Sequence, residues 1–357
     1  SDSRVFNVDS REEERLGQLS APRGKEQIAV TRVPAGDIGV VTKLGYTETG
    51  HTLCDKDHPV QLEGISLPVP IYSVAVSPKT KADSAKMGAG LSRLVEEDPT
   101  FEWHLEHSTR QTILSGMGDA HIDIGCRRLA RKFGVEVVTS VPKVPYRETI
   151  TRTAEDTYRH KKQTGGAGQF AQVSMRLEPV EPGSGFVYEW EVFGGAVSQS
   201  FRPSIEKGVK SVMELGVLAG YPILDMFVAV TDGKEHPVDS KDIAFQIAGR
   251  EAFKQAFMSA GPELLEPICE VTVTVPDEYM GDVLSDMNTR RGRVQGMDQK
   301  VGRSVVTAQV PLAEMQRYST SLRAFTQGRG FYAMHISHYE NVPSHLVQEI
   351  VAQAKQE

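Results

Sequence analysis

Two stretches of this chain carry the same order of hydrophobic periodicities, and that order admits few folds. From Ile71, IYSVAV alternates as a strand. A helix follows, with Asp83 as its cap and Met87, Leu91, Leu94 and Val95 on one stripe, and Asp98-Pro99 stops it. FEWHLE sets Phe101, Trp103 and Leu105 against Glu102, His104 and Glu106, and QTILS forms a second strand after a short polar turn. A second helix carries Ile122, Cys126, Leu129 and Phe133 and ends at Gly134. VEVVT then completes β-α-β-β-α-β, a ferredoxin-like split βαβ unit. The order recurs from Ile268: CEVTVTV, a helix through Met280, Val283, Leu284 and Met287 ending at Gly292, the strands RVQGM and SVVTAQV, a helix opened by Pro311, and FYAMHIS. This is duplication of a fold and not a short-period array.

Between the copies, from about Val144 to Pro267, strands lengthen and loops gain glycine. FVYEWEVF alternates Phe186, Tyr188, Trp190 and Val192 against a more polar face, and a helix runs through Ile205, Val209, Val212 and Met213. ILDMFVAV is apolar on both faces, which predicts a central strand in a sheet covered by helices. The loop DGKEHPVDSKD leads into a helix from about Asp242 to Ser259, so an α/β sandwich is expected. In the first 65 residues VFNV, QIAVTRV and DIGVVTKL read as short strands and REEER as a solvated loop. So few strands leave open edges, and the chain starts without Met, as though cut from something longer. The expected fold class is therefore multidomain α+β: a partial β-barrel, then two ferredoxin-like domains flanking an α/β domain.

At 357 residues the chain should divide into roughly two to four domains. Its 39% hydrophobic and 24% charged composition is that of soluble globular chains. No apolar stretch approaches the ~20 residues of a membrane span, and no secretory signal is present. Cys54, Cys126 and Cys269 lie far apart and form no CxxC pair, so a reducing cytoplasm is the default. A formal charge of −7 argues against indiscriminate coating of nucleic acid, so any RNA contact must be local.

The segment that invites such a contact is RHKK, Arg159 to Lys162, followed by TGGAGQFA, Thr164 to Ala171. Gly166-x-Gly168-x-x-Ala171 satisfies the dinucleotide pattern GxGxxA, but a dinucleotide site needs a helix to follow. QVSMRLE alternates instead, so the glycines sit between strands at a tip, either as a turn without a partner or as an RNA contact. Walker and GTPase switch motifs are absent, as is the nucleophile elbow GxSxG. His104-x-x-His107 and His335-x-x-His338 each start in a predicted strand, where a separation of three puts side chains on opposite faces. No catalytic constellation and no metal site are expected. His236, beside Pro237, is a solvated loop histidine or a functional one, and Arg290, Arg291 and Arg293 are a helix-end cluster or an RNA-facing patch.

Seven segments in fixed order carry a family likeness: ADSAKMGAGLSRLVEEDPTF, SGMGDAHIDIGCRRL, QTGGAGQFAQV, LAGYPILDM, HPVDSKDIAF, LLEPICEVTVTVPDEYMGDVLSDMNTRRGRVQGM and TQGRGFYAM. Together the chain resembles translation elongation factor G from its second domain to its end. On this likeness residues 1–65 resemble part of the β-barrel second domain and 68–141 the ferredoxin-like third. Residues 144–265 with 340–357 resemble the fourth domain, of the ribosomal protein S5 domain 2 type, and 266–339 the ferredoxin-like fifth. The resemblance implies that a GTPase domain, with GTP and magnesium, lies outside this chain, which itself holds no cofactor and no enzyme site. It implies a cytoplasmic, monomeric factor that binds no membrane and whose partner is the ribosome, with ribosomal RNA and the tRNA-mRNA pair of the decoding centre. Its fourth-domain tip would comprise Lys161, Lys162, Thr164, Gly165, Gly166, Ala167, Gly168 and Gln169 with Lys234, Glu235, His236, Pro237, Val238, Asp239 and Ser240. Ala167 stands where the family usually has arginine, and Asp119-Ala120 and AVSQSFRP also depart from its pattern. A divergent paralogue acting in ribosome recycling or ribosome protection is thus an alternative, and a small-molecule enzyme built on the central α/β domain is one of another class.

Overall fold

The computed structural model describes residues 3–163, 168–300 and 302–356. The chain forms two compact units, Ser1–His104 with Leu114–Thr139 and Leu105–Ile113 with Ser140–Glu357. At the start lie β1 (Ser3–Asn7), β2 (Glu12–Leu16), β3 (Ser20–Arg23), β4 (Glu26–Ala29) and β5 (Leu53–Cys54), arranged as a three-stranded sheet β2-β1-β5 and a hairpin β3-β4. These strands close no barrel among the described residues. Two expectations need correction. REEER is not a loop but most of β2, because Glu14 is buried and its carboxylate accepts the N–H groups of Gly45 and Tyr46 and the hydroxyl of Thr47, at 3.1, 2.6 and 3.0 Å. DIGVVTKL forms no named strand; only Val40 exchanges backbone bonds with Ser20.

The first ferredoxin-like unit consists of β6 (Tyr72–Pro78), α1 (Lys81–Glu97), β7 (Glu102–Glu106), β8 (Gln111–Gly116), α2 (Asp119–Arg128) and β9 (Val137–Ser140), with sheet order β7-β8-β6-β9. Its core joins Val74, Val76, Leu91, Leu94, Phe101, Leu114, Ile122 and Leu129. The cap of α1 is Thr80, not Asp83. The two form a capping box in which the Thr80 hydroxyl accepts the Asp83 N–H and the Asp83 carboxylate accepts the Thr80 N–H.

The α/β domain holds β10 (Arg147–Ile150), β11 (Ala154–Lys162), β12 (Gln169–Pro179), β13 (Phe186–Trp190), α3 (Arg202–Leu215), β14 (Met226–Lys234) and α4 (Asp242–Ser259). Its sheet runs β11-β12-β14-β13, and β13 lies parallel to β14, which obliges the chain to cross over through α3. One apolar cluster joins Val173, Met175 and Leu177 of β12 and Val228 and Val230 of β14 to Ile205 and Val209 of α3 and Phe245, Phe253 and Phe257 of α4. Interior β14 matches the expectation, but its second face is not apolar throughout. There Arg176 bonds Glu178 at 2.7 Å and Glu191 at 2.9 and 3.0 Å, and Thr157 meets Ser174 at 2.8 Å. The alternating side chains of β12 thus separate a packed face from a polar one.

The second ferredoxin-like sheet follows with β15 (Pro262–Pro276), α5 (Met280–Thr289), β16 (Arg293–Lys300), β17 (Arg303–Pro311), α6 (Leu312–Met315), α7 (Tyr318–Phe325) and β18 (Phe331–Asn341), before the last helix α8 (Ser344–Gln356). Its order β18-β15-β17-β16 repeats β9-β6-β8-β7. The helix expected after Pro311 is two short helices, α6 and α7. Among the described residues no helix is long and apolar enough to cross a membrane.

Glu148 on β10 links the α/β domain to this sheet. Its backbone pairs with β15, while its fully buried carboxylate accepts the N–H groups of Val217, Leu218, Ala219 and Tyr221 at 2.7, 2.8, 2.7 and 3.1 Å. Beside it Tyr146 packs edge-on against Tyr221, and burial pushes the Tyr146 hydroxyl up to about 12. Removing the carboxylate leaves the donors of the 217–221 loop without their charged acceptor, each such bond being worth about 1.5–3 kcal/mol. Glu148→Ala is expected to lower the unfolding free energy of unit 2 by at least about 3 kcal/mol in urea denaturation. A loss under about 1 kcal/mol would contradict this role.

Candidate nucleic-acid interface

Strand register brings three connections to one end of the α/β sheet. Lys162 pairs with Gln169, so the turn between β11 and β12 opens there. Gln172 pairs with Lys234, which sends the segment after β14 to the same end. Trp190 lies beside Val230 in the parallel pair, so the segment after β13 leaves in that direction too. The sequence-predicted residues Thr164, Gly165, Gly166 and Ala167 lie outside the described residues. Lys161, Lys162, Gly168 and Gln169 fall on the first connection, and Lys234, Glu235, His236, Pro237, Val238, Asp239 and Ser240 on the segment after β14.

That segment is stitched to the start of β12. The Ser240 hydroxyl donates to the Phe170 carbonyl and accepts the His236 N–H, both at 2.8 Å, and the Phe170 N–H reaches the Asp239 carbonyl at 2.9 Å. A Cβ at position 168 would lie 2.6 Å from the Asp239 carboxylate, so any larger residue there would push that side chain aside. His236 Nδ1 accepts the N–H groups of Val238 and Asp239 at 3.3 and 3.2 Å, which places the proton of the neutral ring on Nε2. The side chain is half exposed, so this Nε2–H is a donor facing no partner among the described residues.

The charges divide by sign. Glu235 accepts the Ser198 N–H at 2.8 Å, and Asp239 lies 3.5 Å from His236 Nδ1. Lys161, Lys162, Lys234 and Lys241 are exposed and join no ion pair among the described residues. Nearby, the Arg159 guanidinium lies 5.1 Å from the Phe170 ring centroid. Glu235 is therefore engaged by a backbone donor, while the four ammonium groups face water. Such an end can neutralise phosphates; among the described residues no group of three or more His, Cys, Asp or Glu is placed to hold a metal ion.

The arginine cluster after α5 has a different role. Arg290 bonds Asp286 at 2.8 Å and the Glu314 carbonyl at 2.5 Å, and Arg291 clasps Glu266 at 2.7 and 2.9 Å and Glu314 at 3.0 Å. Arg293 pairs with Glu340. Of the two readings open in the sequence, the helix-end cluster fits Arg290 and Arg291, whose guanidinium groups hold α5 to the sheet and to α6. Sequence reasoning missed the third connection, residues 191–198, which carries Phe193 and the Ser198 bond to Glu235. The signal was available: Gly194-Gly195 directly follows a strand pattern, and both glycines take positive φ, 67° and 73°.

The fold thus defines a modular α/β protein with one cation-bearing cluster of loops at the end of its helix-backed sheet. Family models match it in series: Elongation Factor G, domain III, at residues 67–141; Elongation factor G, domain IV, at 142–261; and Elongation factor G C-terminus at 263–350. The chain belongs to the elongation factor G family, and its loop cluster lies within the residues matched to domain IV. It is also similar to a crystal structure from Thermus thermophilus, with 41% identity and a TM-score of 0.83 over 100% of this chain and 53% of that one. The chain therefore spans about half the length of that protein.

The Ser240 hydroxyl is the joint between two of the three connections. Ser240→Ala is expected to leave the fold intact and to speed amide exchange at His236 by about tenfold, the equivalent of one lost hydrogen bond. Unchanged exchange at His236 would show that the joint does not hold the loop.

Proposed function

We propose that the chain is the ribosome-contacting part of a translation elongation factor of the G type, whose GTP-dependent docking moves the tRNA-mRNA pair through the ribosome. In this reading GTP and magnesium belong to a GTPase domain of the whole factor, which works as a monomer in the cytoplasm. The observation that carries it is the convergence of three connections, two of them bearing exposed ammonium groups that join no ion pair among the described residues, at one end of the domain matched to elongation factor G domain IV.

The chemistry required of such an end is positioning and not bond making. Ammonium groups of Lys161, Lys162, Lys234 and Lys241 neutralise phosphates without reading sequence. The His236 Nε2–H can donate to a phosphate or a ribose hydroxyl while Nδ1 keeps the loop in shape. Behind them, the shared core of β12, β14, α3 and α4 supplies a rigid body through which force on the tip is transmitted.

The test is the salt dependence of ribosome binding by the whole factor. Replacing Lys161 and Lys162 together by Ala is expected to reduce the log-log salt slope by roughly 1.4 to 1.8, at about 0.7–0.9 per phosphate contact. An unchanged slope would remove both lysines from the interface.

A further inference from the structure

Phe193 is 88% exposed and Val238 75%, the two most exposed large hydrophobic side chains among the described residues of unit 2, and both stand on the loop cluster. Their exposure is built in. Along β13 and just beyond it, Phe186, Tyr188, Trp190 and Val192 pack against the core, so Phe193 has the opposite parity and faces away. Gly194 and Gly195 then turn the chain in left-handed conformations and bring Val197 back into the core at 3% exposure. Only four residues separate the anchors Val192 and Val197. Ser198 is held in turn by the Glu235 carboxylate. The ring is therefore displayed on a short loop fastened at both ends, and the glycines beside it have no side chains to obstruct it.

We infer that Phe193 is a stacking platform for an unpaired nucleobase of the RNA that the loop cluster contacts, with Val238 as a second, smaller apolar contact. The inference rests on the proposed function and names the part of the partner that this third connection takes. A protein partner would call for a continuous apolar patch within roughly 800 Å² of buried surface per side, with a desolvated centre. Here two apolar side chains stand on separate connections of an end that also carries exposed ammonium groups. An isolated aromatic ring at an end that also bears lysines suits single-stranded RNA, whose bases stack on the ring while lysines follow the phosphates. Stacking asks for a planar face and not for a base identity, which matches a tip that must accept any transported sequence.

The experiment uses the whole factor and ribosomes carrying mRNA and tRNA. Phe193→Ala should weaken binding by about 5- to 150-fold, the range for loss of one base–aromatic stack, while Phe193→Trp stays within a few-fold of the parent. Phe193→Leu should behave like the Ala variant. A photoreactive benzoylphenylalanine at position 193 should crosslink to nucleotides. The inference is overturned if Phe193→Ala binds as well as the parent, if Leu restores binding fully, or if the crosslink goes to a ribosomal protein. When Phe193→Ala has no effect but the Lys161/Lys162 double variant still lowers the salt slope, this inference fails and the RNA reading stands. Absence of ribosome binding by the unaltered factor defeats both.

Discussion

The parallel pairing of β13 with β14 governs the layout of the functional end. Parallel neighbours cannot be joined by a tight turn, so the chain must leave β13, travel back along α3 and re-enter at the start of β14. Both strands therefore discharge their following segments at the same end, where the β11-β12 turn already lies. The cluster of three connections is a consequence of that crossover. Its stiffness comes from elsewhere: from Gly208 and Gly249, which let α3 and α4 lie close, from the Phe and Ala residues of α4 buried in the shared core, and from Ser240, Asp239 and Glu235, which tie the loops to one another.

Charge at this end is organised against the character of the whole chain. The protein carries a formal −7, which would repel RNA in general. At the loop cluster Glu235 is occupied by a backbone donor, and the exposed ammonium groups join no ion pair among the described residues. At the end of the C-terminal sheet where β15 begins the arrangement is the reverse. Arg290, Arg291 and Arg293 lie in a sequence as basic as the tip, yet each is matched to a carboxylate. Basic residues near one another in sequence are thus left facing water or made internal ties according to whether the fold supplies them with acidic partners.

Much of the architecture was legible in the residues. Apolar periodicity located both ferredoxin-like orders, and α4 spans Asp242–Ser259 as read from its pattern. Local errors arise where a residue's partner lies outside the pattern being read. REEER reads as solvated until the 45–47 backbone, which pairs with Glu14, is in place. Asp83 reads as a cap because its partner Thr80 precedes the apolar stripe. The loop of Phe193 was overlooked although the parity of FVYEWEVF and the following Gly194-Gly195 were legible, because the return of the chain to the core at Val197 appears only in the fold. The GxGxxA pattern shows the opposite case, where the strand period of QVSMRLE excluded a dinucleotide turn from sequence alone, and β12 occupies that stretch.

The central claim is that the end of the α/β sheet bearing the three connections, and not the opposite end, meets RNA. Directed hydroxyl-radical probing tests it, with Cys54 and Cys126 replaced by Ser, buried Cys269 kept, and an iron chelate tethered to a new cysteine placed at Val238 or, as control, at exposed Leu215 at the close of α3. In ribosome complexes of the whole factor, strong cleavage of RNA confined to a few sites is expected from position 238 and little from 215. Equal cleavage from the two positions, or none from 238, would contradict the account.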